Sequence, residues 1–150
     1  MIYTLTEIEA RYQETDQMGV IYHGNYPTWF EVARTDYITK LGFSYKAMED
    51  SGVISPVTEI NVKYIKPITY PEKVTIKTWV ERYSRLRSLY CYEIYNEAGE
   101  LATTGSTTLT CIRKADGKPI RLDRTFPEWH AVYKDVDERN KAGENLECKK

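Results

Sequence analysis

The sequence places an acidic residue, two glycines and a histidine together in one short loop. The segment ETDQMGVIYHGNYP, residues 14–27, contains Asp16, Gly19, His23 and Gly24. A carboxylate held opposite a carbonyl carbon can attack that carbon or activate a water molecule. Glycines let the backbone bend sharply and let a ligand approach it closely. The spacing is therefore compatible with acyl-transfer chemistry.

The element that follows the loop would supply the second half of such a site. Pro27 suits the first turn of a helix, Asn25 suits a cap just ahead of it, and Gly42 suits the end. The start of a helix presents unpaired backbone N–H groups and a positive dipole end. These groups can bind an anion, or a carbonyl oxygen that becomes negative during a reaction.

The same loop residues allow a purely structural interpretation. Asp is favoured in turns, so Asp16 could simply cap one, and a single His23 is more often a polar loop residue than a catalyst. Local chemistry does not separate these two interpretations. The two histidines of the chain lie far apart in sequence and no Cys pair is near them, so we predict no metal site and no cofactor.

Hydrophobic periodicity predicts an α+β fold around this loop. A strand-like segment, YTLTEIEARYQ, precedes the loop, and a long apolar helix ending near Gly42 follows it. The segment SYKAMEDSG predicts a short helix, and four alternating strands come after it, with turns at Gly99 and Gly117. Such an order predicts an antiparallel meander that wraps the long helix. Its edge strands need cover, which pairing in a dimer would supply.

The C-terminal segment has a different character. From Phe126 onwards, apolar residues recur at helical spacing, so we predict one amphipathic helix followed by a charged tail. We expect about the last ten residues to be frayed, because charged ends bury little apolar surface.

Composition excludes several classes of protein. The formal net charge is −1, and the basic residues form no aromatic-interleaved stripe, so we predict no nucleic-acid partner. No window is long and apolar enough to span a bilayer, so we predict no membrane insertion. The N-terminus lacks the features of a signal peptide, and the odd number of cysteines contains no CxxC motif. A reducing, cytoplasmic location is the simplest interpretation.

Residues 11–37, RYQETDQMGVIYHGNYPTWFEVARTDY, resemble the signature of the hotdog-fold acyl-CoA thioesterases. The resemblance is greatest to the branch that contains 4-hydroxybenzoyl-CoA thioesterase and the short-chain thioesterases associated with the Tol–Pal system. Residues 60–112 are similar to the family's four remaining strands, including an aromatic-x-x-Pro step at Tyr64 to Pro67. The resemblance implies a five-stranded antiparallel sheet around a long central helix, over residues 1–125. Residues 126–150 would add the C-terminal amphipathic helix and polar tail.

The resemblance also implies roles for residues in the loop. Asp16 would be the catalytic carboxylate, as nucleophile or as general base. The backbone N–H at His23 would polarise the thioester carbonyl, and the imidazole of His23 would lie close to the substrate. The remaining positions of the motif would contact the substrate: Tyr22, Gly24 and Asn25.

A second group of residues would bind the coenzyme. Related thioesterases have a basic stretch at the turn between two strands, and here the matching residues are Arg85 and Arg87 in RYSRLR. Guanidinium groups suit phosphate oxygens, so both are candidates for binding the nucleotide phosphates of CoA. A solvated, charged hairpin is the structural alternative.

We therefore predict a thioester hydrolase that cleaves an acyl-CoA to the free acid and CoA, as a homodimer or homotetramer with interface active sites. Two alternatives remain open at this stage. One is an acyl-CoA-binding hotdog protein without catalysis, and the other is a hotdog hydratase or dehydratase. The acyl group that the enzyme prefers does not follow from the sequence.

Overall fold

The computed structural model describes residues 1–149. Within this range the strands are β1 Ile2–Glu9, β2 Val53–Ile54, β3 Val57–Tyr64, β4 Lys73–Tyr83, β5 Arg87–Tyr95, β6 Leu101–Thr110, β7 Ile112–Arg113 and β8 Leu146–Glu147. The helices are α1 Tyr26–Lys40, α2 Tyr45–Asp50, α3 Leu122–Thr125 and α4 Pro127–Lys141. This order confirms the predicted α+β class.

The main sheet has six strands in the order β3-β6-β5-β4-β1-β8, so the prediction of five strands was wrong. The additional strand, β8, lies in the tail that we expected to be frayed. It pairs in parallel with β1, and the N–H of Leu146 donates to the carbonyl of Met1 at 2.9 Å. Residues 146–147 are held because the edge of β1 offers unpaired backbone groups that β8 satisfies, while Lys150 lies outside the described residues.

Helix α1 packs against one face of this sheet, as its broad apolar surface predicts. Phe30, Ala33 and Tyr37 have no exposed surface. The ring of Phe30 stacks on Tyr92 of β5, with centroids 4.3 Å apart and planes inclined by 8°. These contacts fix how deeply the helix sits against the strands.

Both ends of α1 follow from the sequence. Pro27 lies in the first turn, where its missing N–H costs nothing. The helix ends at Lys40, and Gly42 then adopts a φ of +97°, a left-handed conformation that favours glycine. In the next helix, α2, the hydroxyl of Ser44 accepts a hydrogen bond from the N–H of Ala47 at 3.1 Å and so caps the helix.

Helix α4 packs beside α1 and is tied to the sheet by one amide side chain. Asn140 accepts from the N–H of Ile2 at 2.6 Å and donates to the carbonyl of Val80 at 2.8 Å. Trp129 and Tyr133 are buried against the rest of the fold. The amphipathic helix is therefore present, while the division of the chain at residue 125 stays a prediction.

Strand β3 is an edge of the sheet and is exposed along most of its length. Val57, Ile60 and Tyr64 are 43%, 41% and 48% exposed, which is high for apolar strand residues. Its other neighbour would have to come from another chain, since no strand within residues 1–149 covers this edge. Among the same residues, no helix is long and apolar enough to cross a membrane.

The contact between α1 and β6 leaves no room for a side chain at Gly105. A Cβ atom there would lie 2.3 Å from Phe30 Cζ and 2.9 Å from the carbonyl oxygen of Asn61. We expect Gly105→Ala to lower the free energy of unfolding by about 1–3 kcal/mol, because a buried ring and a backbone would have to move. Urea unfolding measures the change. Ser106→Ala is the matched control on the opposite face of β6, and an equal loss there would contradict the packing argument.

Candidate active site

The loop before α1 is a compact hairpin rather than an open connection. Thr15 pairs with Ile21, and the N–H of Asp16 donates to the carbonyl of Val20 at 2.9 Å. The tip turns at Gly19, whose φ of +79° requires the freedom of glycine. The backbone of the loop is thus held by its own hydrogen bonds.

Asp16 fits both interpretations of the sequence. One carboxylate oxygen accepts the N–H of Met18 at 2.8 Å, so Asp16 does cap a turn. The other oxygen has no hydrogen-bond partner within residues 1–149, and the side chain is half-buried. The turn holds one oxygen in place and leaves the second available to a substrate or a water molecule.

A buried carboxylate, Glu14, anchors the loop to the helix. Glu14 is 4% exposed and accepts the N–H of Arg11 at 2.8 Å and the indole N–H of Trp29, on α1, at 2.9 Å. Burial alone would raise the pKa of this carboxyl. The hydrogen bonds from Arg11 and Trp29 outweigh burial and hold the pKa below its usual value of 4.5.

The backbone carbonyl of Glu14 ties down the other side of the loop. It accepts the N–H of Tyr22 at 2.8 Å and the amide side chain of Asn25 at 2.8 Å. Asn25 occupies the cap position of α1, but its side chain makes no capping hydrogen bond to the helix, so that detail of the prediction was wrong. The amide instead reaches back across the loop, which leaves the start of the helix uncapped.

The first backbone N–H groups at this helix entrance are free. Residues 23–25 form a 3₁₀ turn that runs into α1, and Asn25 donates to the carbonyl of Tyr22 at 3.0 Å. The N–H groups of His23 and Gly24 have no acceptor among the described residues. Free N–H groups at a positive helix end are suited to an oxygen that gains negative charge.

The side chain of His23 is exposed between two tyrosines. Its ring centroid lies 4.3 Å from that of Tyr22 and 6.4 Å from that of Tyr64. The phenol of Tyr64 donates to the carbonyl of His23 at 2.7 Å, and burial raises its pKa, so it remains a donor. A Cβ on Gly24 would lie 2.5 Å from a ring carbon of Tyr22, so glycine here makes room for that ring.

The two predicted arginines lie elsewhere, at a cavity of about 290 Å³. Arg85 and Arg87 line it from the β4–β5 turn, and Arg34 of α1 lines it from the helix. Arg34 donates to the hydroxyl of Tyr92 at 3.1 Å, which holds its guanidinium beside the sheet. None of the loop residues 16–25 contributes to the lining of this cavity.

The predicted site residues therefore form two groups in one chain. Asp16, Tyr22, His23, Gly24 and Asn25 gather at the Tyr64 end of β3. Arg85 and Arg87 gather at its Val57 end, about 24 Å away along an eight-residue strand. Their roles stay predictions.

Sequence reasoning missed Glu14, Trp29 and Tyr64 as parts of this site. For Glu14 a signal existed, because Glu lies three residues after Arg11 and accepts its backbone N–H, as in a capping box. For Trp29 and Tyr64 no local signal exists, since their partners are distant in sequence.

Comparison with known proteins identifies the architecture. The family model described as "Thioesterase superfamily" matches residues 18–103. A DHNA-CoA thioesterase from Staphylococcus aureus is 68% identical, with a TM-score of 0.99 over 99% of this chain and 100% of that one. This likeness confirms the predicted hotdog thioesterase fold.

Two curated relatives are similar over most of the chain. The Bacillus subtilis protein named "Putative acyl-CoA thioesterase YneP" is 49% identical over 85% of this chain and 92% of its own length. A 1,4-dihydroxy-2-naphthoyl-CoA hydrolase from Thermosynechococcus vestitus is 24% identical over 80% of this chain and 83% of its own length.

Glu14 should make the loop sensitive to acid. Because its pKa is lowered in the folded state, its contribution to stability is present above about pH 4.5 and is lost as the pH falls below it. We expect Glu14→Gln to lower the free energy of unfolding at pH 7 by about 1–3 kcal/mol, since an amide N–H₂ would face an N–H donor.

Urea unfolding between pH 7 and pH 3 measures this contribution. The difference between wild type and Glu14→Gln should shrink below pH 4.5, whereas the exposed control Glu7→Gln should show little difference at any pH. If the free energy of unfolding of Glu14→Gln differs from that of the wild type by the same amount at pH 7 and at pH 3, the proposed role of the ionised Glu14 carboxylate is wrong.

Proposed function

Because this chain belongs to the thioesterase superfamily and is a thioester hydrolase, we propose that it hydrolyses an aromatic acyl-CoA with Asp16 and the backbone N–H of His23. The observation that carries the proposal is the pair of unpaired N–H groups at His23 and Gly24, on the same folded loop as a carboxylate with one free oxygen.

The thioester carbonyl oxygen would accept the N–H of His23. As negative charge develops on that oxygen, the helix end stabilises it. Asp16 would either attack the carbonyl carbon or take a proton from a water molecule that attacks it. In the first case the acyl group passes to Asp16 as a mixed anhydride, which water then hydrolyses.

A thioester needs little help with its leaving group. The carbon–sulfur bond breaks to release a thiolate, and the parent thiol has a pKa of about 8.5. Protonation of the sulfur is therefore less demanding than it would be for an alcohol or an amine. One carboxylate and one oxyanion-binding helix end suffice, and no Ser–His pair is required.

The acyl group is proposed to be a hydroxylated bicyclic aromatic acid. The named substrates of two relatives, DHNA-CoA and 1,4-dihydroxy-2-naphthoyl-CoA, support this choice. The cavity supports it as well, since Tyr45, Tyr90, Trp129 and Tyr133 line it. CoA is part of the substrate, and the proposal includes no further cofactor.

The active site is proposed to be shared between two protomers in a dimer. Strand β3 is exposed at its edge, and antiparallel pairing of β3 with its copy would bring the Val57 end of one chain beside the Tyr64 end of the other. The loop of one protomer would then face the cavity of its partner, with Arg85 and Arg87 available to CoA phosphates.

Asp16→Asn tests the catalytic role with little effect on the loop. The amide oxygen of Asn can still accept the N–H of Met18, so the turn is kept while the charge is removed. We expect kcat to fall by about 100-fold or more in a thiol-release assay, the usual effect of losing a general base.

His23→Ala is the matched control, because the backbone N–H survives this change. It should reduce kcat less than Asp16→Asn does. Full activity of Asp16→Asn would contradict the assignment, and a larger loss in His23→Ala would shift the chemistry to the imidazole.

Mixed dimers test whether the site is shared. Asp16→Asn removes the catalytic carboxylate of the loop. Arg85→Glu with Arg87→Glu removes the binding of CoA phosphates at the cavity. In a shared site, one of the two active sites in each mixed dimer combines an intact loop with an intact cavity. A random mixture of the two inactive variants should therefore recover about a quarter of the wild-type activity.

The same mixture gives a clear opposite result if each protomer builds its own site. Every site would then carry one defect, and no activity would return on mixing. Light scattering on the wild type provides the accompanying control, because a monomeric active enzyme would also contradict the shared site.

A further inference from the structure

Helix α4 builds a wall of the cavity that lies outside the matched family model. That model covers residues 18–103, whereas Trp129 and Tyr133 come from α4. Trp129 stacks on Phe43, with ring centroids 4.8 Å apart and planes inclined by 13°. The aromatic wall is therefore held rigidly.

A pair of tyrosine hydroxyls is buried in this wall. Tyr90 and Tyr133 both line the cavity, are 4% and 1% exposed, and their hydroxyl oxygens are 2.6 Å apart. Burial raises the pKa of both phenols, so both keep their hydrogens. Each phenol carries one O–H donor, yet one hydrogen bond joins them.

One O–H of this pair is consequently left over. Within the described residues, neither hydroxyl donates to an acceptor other than its partner, and the indole N–H of Trp129 beside Tyr133 can only donate. Leaving a buried donor unpaired is unfavourable, and buried polar groups in proteins are normally satisfied. Since both residues face the cavity, an acceptor oxygen inside it would satisfy the remaining hydrogen.

We propose that the Tyr90–Tyr133 pair is a specificity determinant that donates a hydrogen bond to an oxygen on the ring of the acyl group. This inference rests on the proposed function and extends it to residues outside the catalytic loop. Helix α4 thereby acquires a role in substrate selection, because it supplies one of the two hydroxyls and the neighbouring Trp129.

The size and lining of the cavity agree with such a ligand. Its volume of about 290 Å³ lies just below the usual range of ligand pockets, roughly 300–1,000 Å³, which suits a compact ring system better than a long acyl chain. Ile38, Met48 and Leu109 are buried lining residues that would contact the ring carbons. The hydroxyl pair is then a polar point beside these apolar side chains, where a ring without oxygen leaves a donor unpaired.

The test is the double variant Tyr90→Phe with Tyr133→Phe. It removes both hydroxyls together, so it leaves no single buried phenol behind and should keep its thermal stability. The probes are 1,4-dihydroxy-2-naphthoyl-CoA and 2-naphthoyl-CoA, compared by kcat/KM for thiol release. The wild type should prefer the hydroxylated substrate. In the double variant, the ratio of kcat/KM for the hydroxylated substrate to kcat/KM for 2-naphthoyl-CoA should fall by about tenfold.

The loss must fall on one substrate to support the proposal. We expect kcat/KM to drop for the hydroxylated ring and to stay constant or rise for 2-naphthoyl-CoA. Tyr95→Phe is the matched control, since it removes a phenol that bonds Glu93 away from the cavity, and it should leave the preference unchanged.

Four outcomes would overturn the inference. An equal loss of kcat/KM on both substrates would mean a structural role, and unchanged kcat/KM on both substrates would mean that the pair does not contact the ring. A wild type that cleaves both rings equally well would contradict the inference while leaving the thioesterase proposal intact. A wild type that cleaves no thioester at all would contradict both.

Discussion

The arrangement of the candidate site depends on the buried carboxylate of Glu14. It joins the backbone of Arg11 to the indole of Trp29, and so binds the start of the loop to the helix that follows it. The carbonyl of the same residue holds Tyr22 and Asn25. Asn25 is engaged there and makes no capping hydrogen bond to α1, and the N–H groups of His23 and Gly24 just before it are free. The carboxylate and the carbonyl of Glu14 thus hold in place the loop that carries the free N–H groups of the proposed site.

One edge of the sheet is covered by a strand of the same chain and the other is exposed, and this difference bears on how two chains could assemble. The β1 edge is covered by β8 from the same chain. The β3 edge keeps its apolar side chains in solvent, although an uncovered strand of this kind invites pairing with another chain. In the proposed dimer, the open β3 edge would pair with its copy, while β8 covers the β1 edge within the same chain.

Much of this fold could be predicted from local patterns. Pro27 and Gly42 mark the limits of α1, and alternation marks the long strands. The strand at Leu146 could not be predicted, because it lies in a charged tail and pairs with residues at the other end of the chain. The cavity was missed for the same reason, since Tyr90 and Tyr133 meet only in the folded chain. Periodicity reports local structure, whereas such contacts depend on the whole topology.

Helix α1 would serve two active sites in the proposed dimer. Its first turn supplies free N–H groups to the loop of its own chain, and its later turns, through Arg34 and Ile38, line the cavity. Between them, Phe30 is fully buried against Tyr92 and separates the two regions within one chain. A substrate held at the helix entrance would therefore reach a cavity through the partner rather than through its own core. In such a shared site, the loop of one protomer would carry out the catalysis and the cavity of its partner would select the acyl group. The site would therefore lie between the two chains and not inside either of them.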